Sequence, residues 1–223
     1  MRRLIFTLCL LLWAPSIPLS AQNTLSSIRQ RYAEQQEAIR HMEAGSMPRE
    51  YYHVHGAVNL PATGQHDEDI HLYYEKVEER ADENAIYLPH RLTFVTTAYN
   101  YSLRSFYEEF LYDADGRVAF IYARNPDIVF GFDYDFRFYF SRGKLLHAIV
   151  KRGINKDADA ARLIANGTWN ASLPTDSEGH QQVCAGDKLP KEFHSVLADC
   201  LKSAKRYHKL FQDTDRALYG ALF

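Results

Sequence analysis

The stretch that decides the fold lies in the middle of the chain and reads, from Phe106 to Lys151, FYEEFLYDADGRVAFIYARNPDIVFGFDYDFRFYFSRGKLLHAIVK. Runs rich in aromatic and branched residues alternate in it with turn sequences, each containing glycine or proline. Glycine permits the left-handed backbone conformation that tight hairpin turns need. The pattern predicts an antiparallel meander of four strands, namely Phe106–Tyr112, Arg117–Arg124, Ile128–Phe140 and Lys144–Lys151.

The third predicted strand has an aromatic residue at every second position, namely Phe130, Phe132, Tyr134, Phe136, Phe138 and Phe140. Successive side chains of a strand point to opposite faces of the sheet, so these six rings share one face. Asp133, Asp135 and Arg137 fall on the other face. The sequence therefore predicts a sheet whose aromatic face meets the core and whose opposite face is charged.

Upstream of the meander, the sequence predicts a helix and more strands. Ser27 fits a capping position, and Gly45 fits a helix stop, which predicts a helix over residues 27–44. Three further strand candidates follow, at Tyr51–Leu60, Asp69–Glu78 and Arg91–Tyr101, the first two forming a hairpin.

Downstream, the pattern returns to helix. Residues 155–165 fit a short helix, residues 166–189 fit a long loop, and an amphipathic helix follows Pro190. We therefore expect an α+β fold: an antiparallel meander sheet of about six or seven strands at 51–151, with an N-terminal helix and two C-terminal helices packed on it. The last helix is expected to cover the aromatic face.

The first residues have the layout of a secretory signal peptide. Arg2 and Arg3 precede an apolar run over residues 4–13, and small residues follow at Ser20 and Ala21. The run is about half of the ~20 residues that a membrane-spanning helix needs. We expect residues 1–21 to be removed, residues 22–223 to form a single domain without a transmembrane segment, and the protein to be exported, to a periplasm or outside the cell.

Charge and cysteine content narrow the possible functions. The 223 residues include 26 basic and 28 acidic ones, a formal net charge of −2, which argues against general nucleic-acid binding because such proteins need a basic face. Of three cysteines, Cys9 lies in the leader. Cys184 and Cys200 are expected to form a disulfide in an oxidising compartment, the alternative being two unrelated thiols.

Histidines are concentrated in the first predicted hairpin. His53 and His55 share a face, and a turn centred near Thr63 would place His55 opposite His71 on that same face. Three imidazoles could bind zinc and leave a fourth position for a water nucleophile. A one-residue change of register would instead turn His71 away, and the alternative is a set of surface histidines.

Exposed aromatic residues favour a binding function. The pairs at 51–52 and 73–74 place one tyrosine outward, and Tyr52 and Tyr74, with Trp169 in the 166–189 loop, are the candidate ligand contacts. A protein, peptide or glycan would be the ligand. The alternative for Trp169 is that it packs the loop onto the core.

The hairpins resemble those of exported bacterial proteins of uncharacterised function, in the motifs FLYDADGRV at 110–118 and FYFSRGKL at 138–145. The resemblance implies no activity and no site residues. Motifs of nucleophilic catalysis and of phosphate binding are absent from the sequence. The leading hypothesis is thus a non-enzymatic binding module without a cofactor. The alternative is a metal-dependent hydrolase with zinc on the 51–78 hairpin.

Overall fold

The structure, a computed structural model, describes residues 19–62, 64–78, 88–102, 104–127, 131–156 and 158–219. Its helices are α1 (Leu19–Glu43), α2 (Ala160–Ala165) and α3 (His194–Leu218), and a 3-10 turn at Lys191–Phe193 leads into α3. Its strands are β1 (Tyr51–Leu60), β2 (Gly64–Lys76), β3 (His90–Tyr101), β4 (Arg104–Tyr112), β5 (Val118–Asp127), β6 (Phe132–Ser141), β7 (Lys144–Ile154) and β8 (Gln181–Gly186).

These strands form one antiparallel meander in the order β1 to β8, which confirms the predicted α+β class. The sheet has eight strands where six or seven were expected. The additional strand is β8, which lies inside the stretch at 166–189 that was predicted to be a loop. Its sequence, QQVCAG, has a single β-branched residue, so its strand propensity is weak. It forms because β7 offers it unpaired backbone groups, with Val150 opposite Cys184.

One side of the sheet, which we call the α3 face, is closed by α3. The predicted aromatic face is confirmed here over Phe136, Phe138 and Phe140, while Phe130 lies outside the described residues. The helix contributes Cys200, Ala204, Tyr207 and Phe211 to the same core. Tyr207 is fully buried and lies 5.2 Å from the ring of Phe110, measured between ring centroids.

The opposite side of the sheet, which we call the α1 face, is partly covered by α1. The helix buries Leu25, Ile28 and Ile39 against a second apolar cluster on the strands, formed by Tyr73, Phe94, Leu111, Ala119, Phe120 and Tyr139. It begins at Leu19, earlier than the predicted start at residue 27, and ends near the predicted stop. Gly45 adopts a φ of 70° there, and its N–H donates to Met42 O at 2.9 Å.

The predicted leader lies almost entirely outside the described residues. The expected cleavage position after Ala21 falls in the first turn of α1. Within the part of the chain that the structure describes, no helix is both long enough and apolar enough to cross a membrane.

Candidate functional site

The α1 face carries a polar region next to the area that α1 covers. It runs across the middle strands, because alternate residues of β4, β5 and β6 point to this side. Its members are Tyr107, Glu109, Tyr122, Arg124, Asp135 and Arg137. The sequence predicted the charged character of this face at Asp135 and Arg137, and the structure adds the groups that surround them.

Glu109 joins α1 to this polar region. Its side chain is buried and accepts hydrogen bonds from Tyr32 Oη at 2.5 Å, from Gln36 Nε2 at 3.0 Å and from Tyr107 Oη at 2.6 Å. Burial and the neighbouring carboxylate raise the pKa values of Tyr32 and Tyr107 above the usual range. Both hydroxyls therefore stay protonated and keep donating. Because two of these donors come from α1, the network fixes the helix on the sheet.

A cleft of about 440 Å³ opens between α1 and strands β5 and β6, next to this network. We call it the arginine cleft, and its lining residues are Arg29, Tyr32, Phe120, Tyr122, Arg137 and Tyr139. The guanidinium carbon of Arg29 lies 5.4 Å from the centre of the Tyr139 ring. That of Arg137 lies 5.8 Å from the centre of the Tyr122 ring. Cation–π attraction therefore holds both side chains over aromatic surfaces.

The two arginines of the cleft have no acid partner in the part of the chain that the structure describes. Neither Arg29 nor Arg137 forms an ion pair or a hydrogen bond with any residue that the structure describes, although acidic groups lie elsewhere on the same face. A guanidinium group presents a planar fork of N–H donors that matches a carboxylate or a phosphate group. The cleft therefore offers an anion two guanidinium groups that have no acid partner among the described residues.

Asp135 contacts Tyr122, one of the residues that line the cleft. Its side chain is only 5% exposed, and its Oδ1 accepts from Tyr122 Oη at 3.2 Å and from Arg124 Nε at 3.3 Å. Burial, with the nearby Asp135 charge, raises the pKa of Tyr122 to about 12. Tyr122 thus lines the cleft and holds the carboxylate at once.

The three histidines predicted to bind zinc, His53, His55 and His71, share one face of the sheet, but in a register that differs from the predicted one. The turn is centred one residue earlier, so His53 lies opposite His71, and His55 lies opposite Asp69. The rings of His53 and His71 stack with centroids 4.6 Å apart. His53 Nε2 and His55 Nδ1 each lie about 3 Å from Asp69 Oδ1, at 3.1 and 3.0 Å.

The structure does not assemble these three histidines into a ligand set for zinc. Among the described residues, the group of metal-binding type whose ligand atoms all lie within 4.8 Å of one another consists of Asp135, Glu178 and His180. The histidine side chains are instead engaged with each other and with Asp69. His180 lies outside the predicted zinc site because sequence spacing does not reveal its approach to β6.

The three aromatic residues predicted to contact a ligand are buried. Tyr52 and Tyr74 point to the α3 face, where each is 8% exposed, and the Tyr52 hydroxyl donates to Asp215 Oδ1 at 2.7 Å. Trp169 is 7% exposed and packs with Phe132 and Leu163. The two tyrosines of each pair point to opposite faces, but Tyr73 is also buried, in the cluster that α1 covers, and the sequence did not show that α3 covers Tyr52 and Tyr74. These residues are therefore not available as surface contacts.

The predicted disulfide is not formed in the structure, where Cys184 and Cys200 are both free thiols. Both pack in the core beneath α3, Cys200 fully and Cys184 partly. Cys184 Sγ donates to Lys188 O at 3.5 Å, and burial raises the pKa of the Cys200 thiol well above its usual range. Neither thiol has the lowered pKa that a nucleophile needs.

Comparisons of this chain with protein families, with curated proteins and with solved structures found no match. Function is in any case a property of sites and not of folds. The α1 face, where polar groups border an open cleft, provides such a site.

Proposed function

We propose that this chain is a non-enzymatic binding protein that acts outside the cytoplasm and holds a small acidic ligand in the arginine cleft. The observation that carries the proposal is that the guanidinium groups of Arg29 and Arg137 lie over tyrosine rings and have no acid partner among the residues that the structure describes. Export is proposed from the leader pattern at residues 1–21.

The chemistry of the cleft favours a ligand with a carboxylate or phosphate group on a ring. Arginine binds such groups through two parallel hydrogen bonds, and these bonds are stronger when both partners are charged. The tyrosine rings offer flat surfaces on which a sugar or an aromatic ring can rest. A volume of about 440 Å³ falls within the ~300–1,000 Å³ that is usual for small-molecule sites. An acidic sugar or the carboxylate end of a peptide fits this description.

Isothermal titration calorimetry with two matched pairs of probes tests the proposal. Glucuronate is compared with glucose, and benzoate with benzamide, so that each pair differs in the negative charge. About 13 non-hydrogen atoms at ~0.3 kcal/mol each correspond to a dissociation constant of about 1 mM for glucuronate. We expect at least one acid to bind at this level and its neutral counterpart to bind at least ~10-fold more weakly.

Variants of the arginines locate the site. Arg137→Gln and Arg29→Gln are each expected to weaken binding of the acid by about 10-fold or more, because each removes a charged hydrogen-bond donor. Arg91→Gln is the matched control, since Arg91 already donates to Glu75 through Nε at 2.8 Å and does not line the cleft. Equal binding of the acid and neutral probes, or equal loss in all three variants, would reject the arginine cleft as the ligand site.

A further inference from the structure

The segment just before β8 brings two side chains against β6. Glu178 and His180 meet Asp135 there, and the three potential ligand atoms lie within 4.8 Å of one another. We propose that Asp135, Glu178 and His180 bind a divalent transition-metal ion of the zinc class. This site is separate from the zinc site predicted on the first hairpin, and the proposal goes beyond the binding function of the arginine cleft.

The distances within the group suit a shared metal better than direct hydrogen bonds. His180 Nδ1 lies 3.7 Å from Asp135 Oδ2 and 3.5 Å from Glu178 Oε2. Hydrogen bonds from N–H to oxygen are typically ~2.7–3.2 Å long. Two ligand atoms at ~2.0–2.1 Å from a tetrahedral zinc ion are about 3.3–3.4 Å apart. The separations of His180 Nδ1 from the two carboxylate oxygens thus exceed those of a zinc site by only a few tenths of an ångström.

His180 Nδ1 has no hydrogen-bond partner among the described residues, although the atom is buried. Buried polar atoms in proteins are nearly always partnered, so each exception calls for an explanation. This nitrogen faces two carboxylate oxygens, and a lone pair in that position would be repelled by both. A cation between the three groups accounts for the orientation of the ring, because it would accept the lone pair and neutralise the two acids.

The ring of His180 occupies a space that a glycine leaves open. A Cβ atom at Gly153 would lie 2.2 Å from His180 Cδ2 and 2.6 Å from His180 Nε2, which is closer than real contacts allow. Gly153 does not have a positive φ, so its requirement is one of space and not of backbone conformation. The ring is therefore seated against the backbone of β7, opposite Asp133 on β6.

The loop that carries Glu178 and His180 is held by Asp176. The backbone N–H groups of Glu178 and His180 donate to Asp176 Oδ1 at 3.0 and 2.9 Å. Lys151 on β7 donates through Nζ to Asp176 Oδ2 at 2.6 Å. Two of the three ligands therefore have a fixed backbone before any metal arrives, which lowers the entropy that binding has to offset.

Hydrogen bonds to one carboxylate oxygen orient the Asp135 side chain and leave the other oxygen facing His180. Tyr122 and Arg124 donate to Oδ1, while Oδ2 is the atom that faces His180. Partners of this kind orient the ligands of protein metal sites and tune their affinity. Arg124 therefore does not donate to Oδ2, the oxygen that the metal would use.

The donor set indicates the class of metal. One imidazole nitrogen with two carboxylate oxygens suits zinc, manganese or cobalt, whereas calcium and magnesium are bound by oxygen ligands. Three protein ligands leave a fourth position open to water or to an exogenous ligand. The Glu178 side chain is 65% exposed, so the ion would enter from solvent on that side.

Zinc titration of the purified protein, expressed with its own leader and without a histidine tag, tests the assignment. We expect one zinc ion per chain by calorimetry and by elemental analysis after dialysis. Residues that only orient the ligands of a metal typically contribute ~10–100-fold to affinity, so losing a ligand should cost more than about 100-fold. The ligand variants are Asp135→Asn, Glu178→Gln and His180→Ala, and cobalt gives a tetrahedral absorption spectrum as a second readout.

Two further variants keep the result interpretable. Gly153→Ala retains all three ligand residues but displaces the His180 ring, so it should also weaken zinc binding. His55→Ala, on the same face of the sheet, should leave it unchanged. Because Glu178 is exposed, Glu178→Gln cannot be confused with a folding defect, and circular dichroism checks the others. Absence of bound zinc, wild-type affinity in Glu178→Gln or His180→Ala, or loss in His55→Ala would each overturn the assignment.

Discussion

Glu108 and Glu109 are neighbours on β4, yet one side chain lies beneath α3 and the other beneath α1. Both are 4% exposed. Glu109 accepts three hydrogen bonds, two of them from α1. Glu108 accepts one, from Tyr99 Oη at 3.1 Å, and its Oε2 has no partner among the described residues. Burial raises the pKa of Glu108 from its usual 4.5 to about 7.

The difference shows how the two faces of the sheet are stabilised. The α3 face is closed by aromatic packing, and the Glu108 carboxylate is poorly accommodated there because it accepts a single hydrogen bond. The α1 face combines an apolar strip with hydrogen-bonded polar groups, so charge is accommodated and clefts remain open beside the helix. Both proposed sites lie on the α1 face. Substitutions on the two faces should therefore differ in their effects on stability and on binding.

Removing an aromatic ring from the α3 face should have the largest effect on stability. Phe138 is fully buried beneath α3, whereas its neighbour Arg137 points to the α1 face and is partly exposed. Phe138→Ala is expected to lower the free energy of unfolding by about 3–5 kcal/mol, because it leaves a cavity in a packed core. Arg137→Ala should cost less than about 1 kcal/mol. Urea denaturation measures both, and similar losses would contradict the proposed division of roles between the faces.

Replacing the buried acid of the α3 face should stabilise the protein in a pH-dependent way. The charged groups that act on Glu108 are Arg206, Glu68 and Asp199, and Tyr99 donates to it. Since its pKa is raised in the folded state, the folded state binds the proton more tightly, and stability falls as pH rises from about 4.5 to 7. The difference of about 2.5 in pKa corresponds to an upper value of about 3 kcal/mol.

Glu108→Gln should therefore be close to neutral at pH 4.5 and should stabilise the fold by up to about 3 kcal/mol at pH 8. Thermal and urea unfolding over this pH range provide the measurement, with Glu109→Gln as the matched control from the adjacent position. A gain in stability at pH 4.5 that equals the gain at pH 8 would show that desolvation of the charge is not the cause.

The sequence predicted the regular part of the fold because period-two patterns and turn residues are local signals. The aromatic alternation at 132–140 and the turn at 113–116 are local enough to establish the order and direction of strands. The same reasoning missed β8, because that strand depends on pairing with β7 and not on its own propensity. It predicted that the last helix covers the aromatic face, as α3 does, but it did not show which face α1 covers.

The candidate sites depended on contacts between distant segments. Arg29 and Arg137 are over a hundred residues apart, and only the packing of α1 brings them into one cleft. His180 reaches Asp135 through the pairing of β8 with β7. The structure extends β7 to Ile154, beyond the predicted end at Lys151, and so places Gly153 inside a strand, where a glycine often marks a close approach of another group. The predicted ligand contacts Tyr52 and Tyr74 lie beneath α3, a position that depends on the packing of distant segments.

Loss of the charge at Glu109 should loosen α1 without unfolding the sheet. Glu109→Gln replaces hydrogen bonds to a carboxylate by weaker ones to an amide, and we expect a cost of about 1–2 kcal/mol. Amide hydrogen exchange should show the effect in α1, where Tyr32 and Gln36 lose their charged acceptor, more than in α3. Uniform loss of protection in both helices would indicate that α1 does not form a separate unit.

The smallest effect is expected from the tryptophan that the sequence singled out as a ligand contact. Trp169 fills space beside Phe132 and Leu163, and the guanidinium carbon of Arg152 lies 5.8 Å from its ring centre. Trp169→Phe retains an aromatic ring, so it should cost less than about 1.5 kcal/mol.

Ligand binding distinguishes this aromatic residue from one on the α1 face. Trp169→Phe should leave the affinity for the acid probe unchanged, because the ring is sealed in the core. Tyr122→Leu should weaken it several-fold, because the Tyr122 ring lines the arginine cleft and lies beneath the Arg137 guanidinium group. The reverse outcome, with binding lost in Trp169→Phe and retained in Tyr122→Leu, would move the binding surface from the α1 face to the segment before β8. In that case the ligand would have to displace Trp169 from Phe132, and binding would be accompanied by a measurable opening of that small core.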